Sequence, residues 1–332
     1  MNLTYKATGI NLKGMPLGES DRLLTILTRE YGLIRAVAPG ARKHRSRLGG
    51  RSELFVVNEL MLSKGRSLDK ITQAETLESY AGLSRDLGKL TVSQYLAELT
   101  LYQALSEQPQ DELFAVLSDH LSRLEQLPTQ ADGPFSVALL AHLTHATFHL
   151  LAIAGVAPQV QLCCITQEPI VPNWADPNWR IGFSLAAGGT VDLSQLEKLE
   201  KVAHPVRLRL KSASGRYDAQ QAAARGDRPF NALSNSRNPD TALEAGSTYR
   251  TVAHPQQLPK LHSRLTASEL ALLQQIAQPD LKPLDLTLAT PATSAPWWAI
   301  ESLLRQYAEY YFERPIRSAA LIETCFAIPS PR

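Results

Sequence analysis

The densest candidate chemistry in this sequence lies between Gly40 and Arg51, where Arg42, Lys43, His44, Arg45, Arg47 and Arg51 set five Lys/Arg and one histidine in twelve residues. Arg35 precedes the run, and no acidic residue occurs from Tyr31 to Ser52. Guanidinium and ammonium groups at this spacing match successive phosphates of a nucleic-acid backbone, and glycines at both ends let the segment lie close to another backbone. The contrary reading is a solvated basic turn without a partner, because short Lys/Arg-rich runs are not specific signals. Arg22, Lys64 and Arg66 complete the set of candidate phosphate ligands. Tyr5, Tyr31 and Phe55 are the only aromatics before Tyr80. With so few platforms for stacked bases, the expected mode is backbone contact with little sequence dependence.

Other chemistries are weakly represented. His142, His145 and His149 fall at i, i+3 and i+7 and share one helix face. Three ligands on one rigid helix surround a tetrahedral ion poorly, and no nearby carboxylate supports them, so core histidines are the expectation. There is no phosphate-binding Walker loop, no Gly-x-Ser-x-Gly elbow, no His-Glu-x-x-His helix and no Gly-x-Gly-x-x-Gly loop. The expectation is a binding protein, not an enzyme, with no catalytic residues, metal or cofactor. Two rivals stand beside DNA binding: an adaptor that holds partner proteins without touching DNA, and a metal-dependent nuclease, which needs a carboxylate cluster that the sequence does not display.

The elements that must position the basic run follow from periodicity. Residues 3–12, 23–28, 33–38, 55–62 and 69–76 alternate as short strands, with Tyr31-Gly32 as a tight turn. Five strands in so short a stretch predict a small closed barrel of the OB type over residues 1–80. From about Leu90 the period turns helical behind Thr91-Val92-Ser93-Gln94, which reads as a capping box. Helices are expected at 111–127 and 134–154, making residues 81–158 the first part of a helical domain. Prolines, tryptophans and Gly188-Gly189 predict a hairpin-rich insert over 159–200. Residues 201–264 hold few large apolar side chains, and 201–240 carry eight Lys/Arg against three Asp, so a mobile basic insertion is expected. A capping box at Thr266-Ala267-Ser268-Glu269 and an amphipathic run from Trp297 to Phe312 return the chain to the helical domain over 265–322, before a tail at 323–332. The fold class expected is multi-domain α+β.

Composition sets bounds on this reading. With 34 Lys+Arg against 32 Asp+Glu the net charge is +2, so affinity for a polyanion must come from local distribution. The N-terminus lacks the pattern of a secretory signal, and Cys163, Cys164 and Cys325 make no disulfide framework, which together predict a cytoplasmic protein. Phe135 to Ala157 contains no Asp, Glu, Lys or Arg, but its histidines and hydroxyl residues favour a buried core helix over a membrane span.

The order and spacing of Gly18-Glu19-Ser20-Asp21-Arg22, Thr28-Arg29-Glu30-Tyr31-Gly32-Leu33-Ile34, and Pro39-Gly40-Ala41-Arg42 with Ser46-Arg47-Leu48-Gly49-Gly50 resemble the RecO family. Leu68 to Glu75 continues the likeness, and Glu301-Ser302-Leu303-Leu304-Arg305-Gln306-Tyr307 and Arg317-Ser318-Ala319-Ala320-Leu321 resemble its closing helices. The resemblance covers residues 1–80 clearly, 80–200 and 265–322 less closely, and 201–264 not at all. It implies an N-terminal OB-fold, a helical domain with an inserted zinc-binding module, and binding of single- and double-stranded DNA. It further implies complementary-strand annealing, partnership with RecR and the single-stranded-DNA-binding protein, indirect service to RecA loading, and a place at the nucleoid. The family's module carries two Cys-x-x-Cys pairs; here Cys164 and Gln167 take the first pair and Asp192 and Gln195 the second. One thiolate of four cannot make a structural zinc site, so the insert is expected to be a degenerate, metal-free ribbon.

Overall fold

Alternating side chains at the start of the chain close into a barrel, as the period-two pattern predicts. In the computed structural model, which describes residues 3–128, 137–203, 259–278 and 294–325, the strands are β1 (Thr4–Leu17), β2 (Asp21–Thr28), β3 (Gly32–Ala38), β4 (Val56–Ser63) and β5 (Asp69–Ser79). Their order is β1-β2-β3-β5-β4, antiparallel except where β3 meets β5 in parallel at Ala36↔Asp69 and Val37↔Lys70. This is an OB-fold-like closure. Ala7, Leu24, Ile26, Ala36, Ala38, Leu60, Leu62 and Ile71 fill the interior, where small alanines let the strands approach. β1 continues to Leu17 instead of ending at Leu12. Its last residues pair only with β2 and form an arm with Met15 and Leu17 exposed, a stretch that Gly14 and Pro16 conceal from pattern reading.

The helices are α1 (Leu87–Gln103), α2 (Asp111–Gln126), α3 (Val137–Ile153), α4 (Leu193–Ala203), α5 (Ala267–Ile276), α6 (Ser294–Phe312) and α7 (Ala319–Cys325). The capping box at Thr266 and Glu269 is present. The one read at Thr91 is not: Asp86 caps α1 by accepting the Lys89 N–H, and the Thr91 hydroxyl bonds back to the Leu87 carbonyl inside the helix. Asp86 offers a better N-cap a turn earlier, and the helix starts there. The charge-free segment becomes α3, buried on nearly every side, and no helix among the described residues is long and apolar enough to cross a membrane. On α6, Trp297, Ile300, Leu303, Leu304 and Tyr307 are buried, while Tyr310 and Tyr311 turn outward.

The hairpins expected before Val191 appear as β6 (Ile181–Ser184) and β7 (Gly189–Val191), joined by β8 (Ser263–Leu265) into a sheet ordered β7-β6-β8. Neither α4 nor β8 was legible in the sequence. Residues 204–258, which hold most of the expected basic insertion, lie outside the described residues.

Barrel and helices share a core. Ile10, Leu12, Leu27, Phe55 and Val57 on the barrel's outer side join Val92, Tyr95, Leu99, Phe114, Leu117 and the apolar faces of α3 and α6 in one cluster. The seam is closed by backbone: the Leu33 N–H donates to the Leu105 carbonyl (2.8 Å), Glu107 to Tyr31 (3.0 Å) and Gln110 to Arg29 (2.7 Å). Gly32 sits in the middle at φ 62°, where an added Cβ would lie 2.0 Å from the Leu105 carbonyl oxygen. Both the left-handed backbone and the close approach require glycine. Replacing Gly32 with Ala is therefore expected to destabilise the protein by about 2–4 kcal/mol, read as a lowered urea midpoint; an unchanged midpoint would mean that the seam is not strained by a side chain.

Candidate nucleic-acid interface

The basic run connects β3 to β4, and its backbone is a chain of tight turns. The N–H groups of Lys43, Ser46 and Gly49 donate to the carbonyls of Gly40, Lys43 and Ser46 at 3.0–3.2 Å, and one 3-10 turn at Gly50–Ser52 leads to the exit. Both ends are tied to the barrel. At the entry, the Asp21 carboxylate accepts the Gly40 N–H (2.8 Å), and the Arg42 N–H donates to the Ser20 carbonyl (2.9 Å). At the exit, Asn11 donates to the carbonyls of Arg51 (2.8 Å) and Glu53 (2.9 Å), and Asn58 donates to Arg51 (2.9 Å). Both asparagines are fully buried. Ala41 inserts into the barrel core and Leu48 packs against it, so the loop is seated by apolar contact as well.

Between these anchors Arg42, Lys43, His44, Arg45 and Arg47 are exposed, and Arg51 is half-buried. Arg45 adopts φ 60°, an uncommon conformation for a side-chain-bearing residue, at the apex of the run. The structure adds Lys70, which the sequence reading passed over because a lone lysine in an alternating strand carries no signal. Lys70 pairs with Val37 in register, next to Arg35 on the same outer face of β3. Lys43 and Lys70 both act on Asp21: the Gly40 and Ser20 hydrogen bonds hold its carboxyl below the usual carboxylate range, and the two lysines reinforce the shift. Arg47 and Arg51 lie further along the loop and line a polar groove with Lys6, Glu59 and Glu75. Lys64 and Arg66 sit on the β4–β5 loop, which Asp69 holds through the Gly65 N–H (3.0 Å) and the Tyr5 hydroxyl.

Arg42 and Arg51 each donate to one carbonyl, of Gly18 (3.1 Å) and Arg47 (3.2 Å), and Lys64 lies 3.9 Å from Asp69, but Arg22 is tied most fully. Its guanidinium bonds the Ser52 carbonyl (2.9 Å) and the Glu53 carboxylate (2.8 Å), so it braces the loop exit. Phe55 is buried, while Tyr5 and Tyr31 meet edge to face at 4.8 Å, which leaves little aromatic surface near the cations for bases.

A second feature lies between barrel and helices: a groove of about 750 Å³ whose apolar lining includes Leu12, Leu54, Leu101 and Leu321, with Lys13, Arg314 and Arg317 around it. Glu98 on α1 organises its far wall by accepting the Ser318 hydroxyl (2.6 Å) and the N–H groups of Ser318 and Arg317. Burial disfavours the Glu98 carboxylate, yet these bonds and the one from Tyr102 outweigh it and hold its carboxyl below the usual range.

In the insert, the cysteine sulfur that meets Asp192 belongs to Cys163, the neighbour of the Cys164 that the family resemblance puts in the first pair. Cys163 Sγ accepts the Asp192 N–H (3.4 Å), while Cys164 is engaged through its backbone with Thr190. Gln167, at φ 60°, takes the left-handed position of a turn closed by bonds between Cys163 and Gln167 and between Cys163 and Glu168, which fixes the register. Burial opposes the Cys163 thiolate, but N–H donors from Asp192, Thr166 and Ile165 and the Thr166 hydroxyl lower its pKa. A single thiol bonded in this way does not fit the tetrahedral donor set of a structural zinc.

Comparison with known proteins agrees with this architecture. Residues 1–80 match the family described as Recombination protein O N terminal, and residues 84–210 match Recombination protein O C terminal. A DNA repair protein RecO from Nostoc sp. is 51% identical over 327 residues, covering 98% of both chains. Its counterpart from Cyanothece sp. is 52% identical over 336 residues, covering 100% of this chain and 99% of the relative. That from Gloeobacter violaceus is 39% identical over 330 residues, covering 98% and 97%.

Arg22 and Lys70 should separate bracing from contact. Arg22→Ala is expected to lower stability by about 1 kcal/mol with little change in the salt dependence of DNA binding. Lys70→Ala should leave the unfolding midpoint in place and reduce the log–log salt slope by roughly 0.7–0.9. The reverse pattern in paired denaturation and salt-titration measurements would exchange their roles.

Proposed function

Since the chain belongs to the RecO family of DNA repair proteins, we propose that it is a non-enzymatic recombination mediator that binds single- and double-stranded DNA, anneals complementary strands and thereby assists RecA loading. The observation that carries this reading is the anchored loop: Arg42, Lys43, Arg45 and Arg47 stand exposed on a backbone fixed at both ends. Annealing needs contacts that neutralise phosphates yet leave base edges free to pair. Exposed cations with few stacking platforms suit that demand, because phosphate contacts position strands without reading them. A nuclease requires a carboxylate cluster, and among the described residues no group of His, Cys, Asp and Glu is arranged to hold a metal. In this reading the protein works in the cytoplasm, at the nucleoid, and its insert is a ribbon kept in shape by packing and by hydrogen bonds to Cys163 in place of the zinc that the family resemblance implies.

RecR and the single-stranded-DNA-binding protein are the partners of this reading. The groove between barrel and helices receives the acidic, apolar-ended tail of the latter: leucines offer the apolar floor, and Lys13, Arg314 and Arg317 supply the basic rim. Arg317→Glu should weaken binding of a tail peptide at least about tenfold at low salt, equivalent to about 1.4 kcal/mol, as read by fluorescence anisotropy. Equal affinity in the variant would move the tail elsewhere.

Changing Arg42, Lys43, Arg45 and Arg47 together to Ala is expected to weaken DNA binding and annealing without loss of fold, since none of these side chains is buried. If all four meet phosphates, the salt slope becomes shallower by about 3 units, the sum of four contributions of roughly 0.7–0.9. Unchanged affinity and slope in the folded variant would favour an adaptor that reaches DNA only through partners.

A further inference from the structure

We propose that four histidines packed between α2 and α3 form a proton-sensitive lock, which holds α2 and the barrel seam in place while the rings are neutral and releases them on acidification. His120 of α2 is at the centre. Its ring lies 5.4 Å from His142, 5.2 Å from His145 and 5.2 Å from His149, measured between centroids, and His145 stacks on His149 at 6.2 Å. His120 Nε2 and His149 Nδ1 stand 3.1 Å apart, so one nitrogen donates and the other must keep its lone pair. Protonating both rings would set two N–H groups and two positive charges against each other. His142 Nε2 donates to the His120 carbonyl at 3.0 Å, which ties α3 to the backbone of α2 through a ring.

Little in the surroundings welcomes charge. His120, His142 and His145 are buried, and the charged groups that bear on the rings are Arg123, Asp119 and Glu112, all on α2. Arg123 and Asp119 pair with each other at 2.9 Å, which spends much of the carboxylate's attraction. Burial is the largest influence on each ring. It pushes His142 down to about 4 and His145 to about 3, and it lowers His120 and His149 as well. These folded-state values lie below the ordinary histidine value of 6.5. The lock is therefore complete above the ordinary value, and its contribution is lost as pH falls from there toward the folded values.

The connection to the barrel makes this more than local packing. The start of α2 is the seat of the β2–β3 turn: the Gln110 N–H bonds the Arg29 carbonyl, and the Arg29 guanidinium lies 4.5 Å from the centroid of Phe114. Loosening α2 from α3 frees that seat. α3 still has α1 and α6 on its other sides, sharing the core through Val92, Tyr95, Ile300 and Leu304.

Hydrogen exchange on the full-length protein at pH 7.5 and 5.0, corrected for intrinsic rates, tests the lock. A ring that goes from about 4 folded to about 6.5 open favours opening by about 30-fold at pH 5.0. Residues of α2 should thus lose protection by at least about that factor through His142, while α6 stays protected. His145→Leu should make the pH dependence of α2 shallower without affecting α6. Ring titration by NMR decides the matter even if that variant does not fold. Four folded-state rings that all titrate below the ordinary histidine value support the lock, His142 and His145 lowest. Titration near the ordinary histidine value, or equal loss of protection in α2 and α6, would overturn it.

Discussion

The basic surface proposed to meet DNA depends on hydrogen bonds made by two buried asparagines. Asn11 and Asn58, on adjacent strands β1 and β4, both donate to the Arg51 carbonyl, and Asn11 also reaches Glu53. A buried amide left without a partner costs about 1–3 kcal/mol, more than a made hydrogen bond contributes net, so the asparagines and the loop exit hold one another. Asp21 does the same for the entry through Gly40. A run of like charges would repel itself into many conformations if it were tethered only by its ends. Here the turns between Gly40 and Ser52 and the seating of Ala41 in the barrel fix its path before any strand arrives.

That order has a functional meaning. Binding to a floppy basic segment spends part of the Coulomb gain on ordering side chains and backbone, whereas a preset backbone loses less entropy. It also determines which cations are free. Arg22 is used internally on Glu53, whereas Lys70 joins Lys43 beside Asp21. A phosphate approaching Lys43 and Lys70 meets two ammonium groups near one carboxylate, and that carboxylate is already bonded to Gly40 and Ser20. Weak, salt-screened attraction of this kind suits the release of paired strands that the proposed annealing requires.

Barrel and helices are coupled by more than a linker. Ile10, Leu27 and Val57 point out of the barrel into the helical core, and Gly32 lets the β2–β3 turn touch the α1–α2 connection directly. Lys89, buried on α1, donates to the Glu125 carbonyl (2.8 Å) and the Leu127 carbonyl, capping the end of α2 with a positive charge. Helix α2 is thereby held at its start by the barrel, along its length by the histidines and at its end by Lys89. The groove beside this seam draws its walls from both parts, with Leu12 and Leu54 from the barrel side and Leu101 and Leu321 from the helices.

Alternation and helical period were enough to place all five barrel strands and helices α1, α2, α3, α5 and α6, because each buries one face and that need is written residue by residue. The density of Arg42 to Arg51 without an acidic neighbour was equally plain. What the sequence could not yield were relations between distant residues. The β1 arm past Leu12 is stabilised by β2 alone, and β8 finds β6 across some eighty residues of chain. Lys70 joins the basic surface because β3 and β5 meet in parallel, and Arg22 is tied to the loop exit because Glu53 folds back beside it. His120 had no visible link to the histidines of α3 until two helices packed face to face. Local pattern determines which residues must be buried or charged; which of them meet is decided by closure of the barrel and packing of the helices, since those contacts cost chain entropy that no local period records.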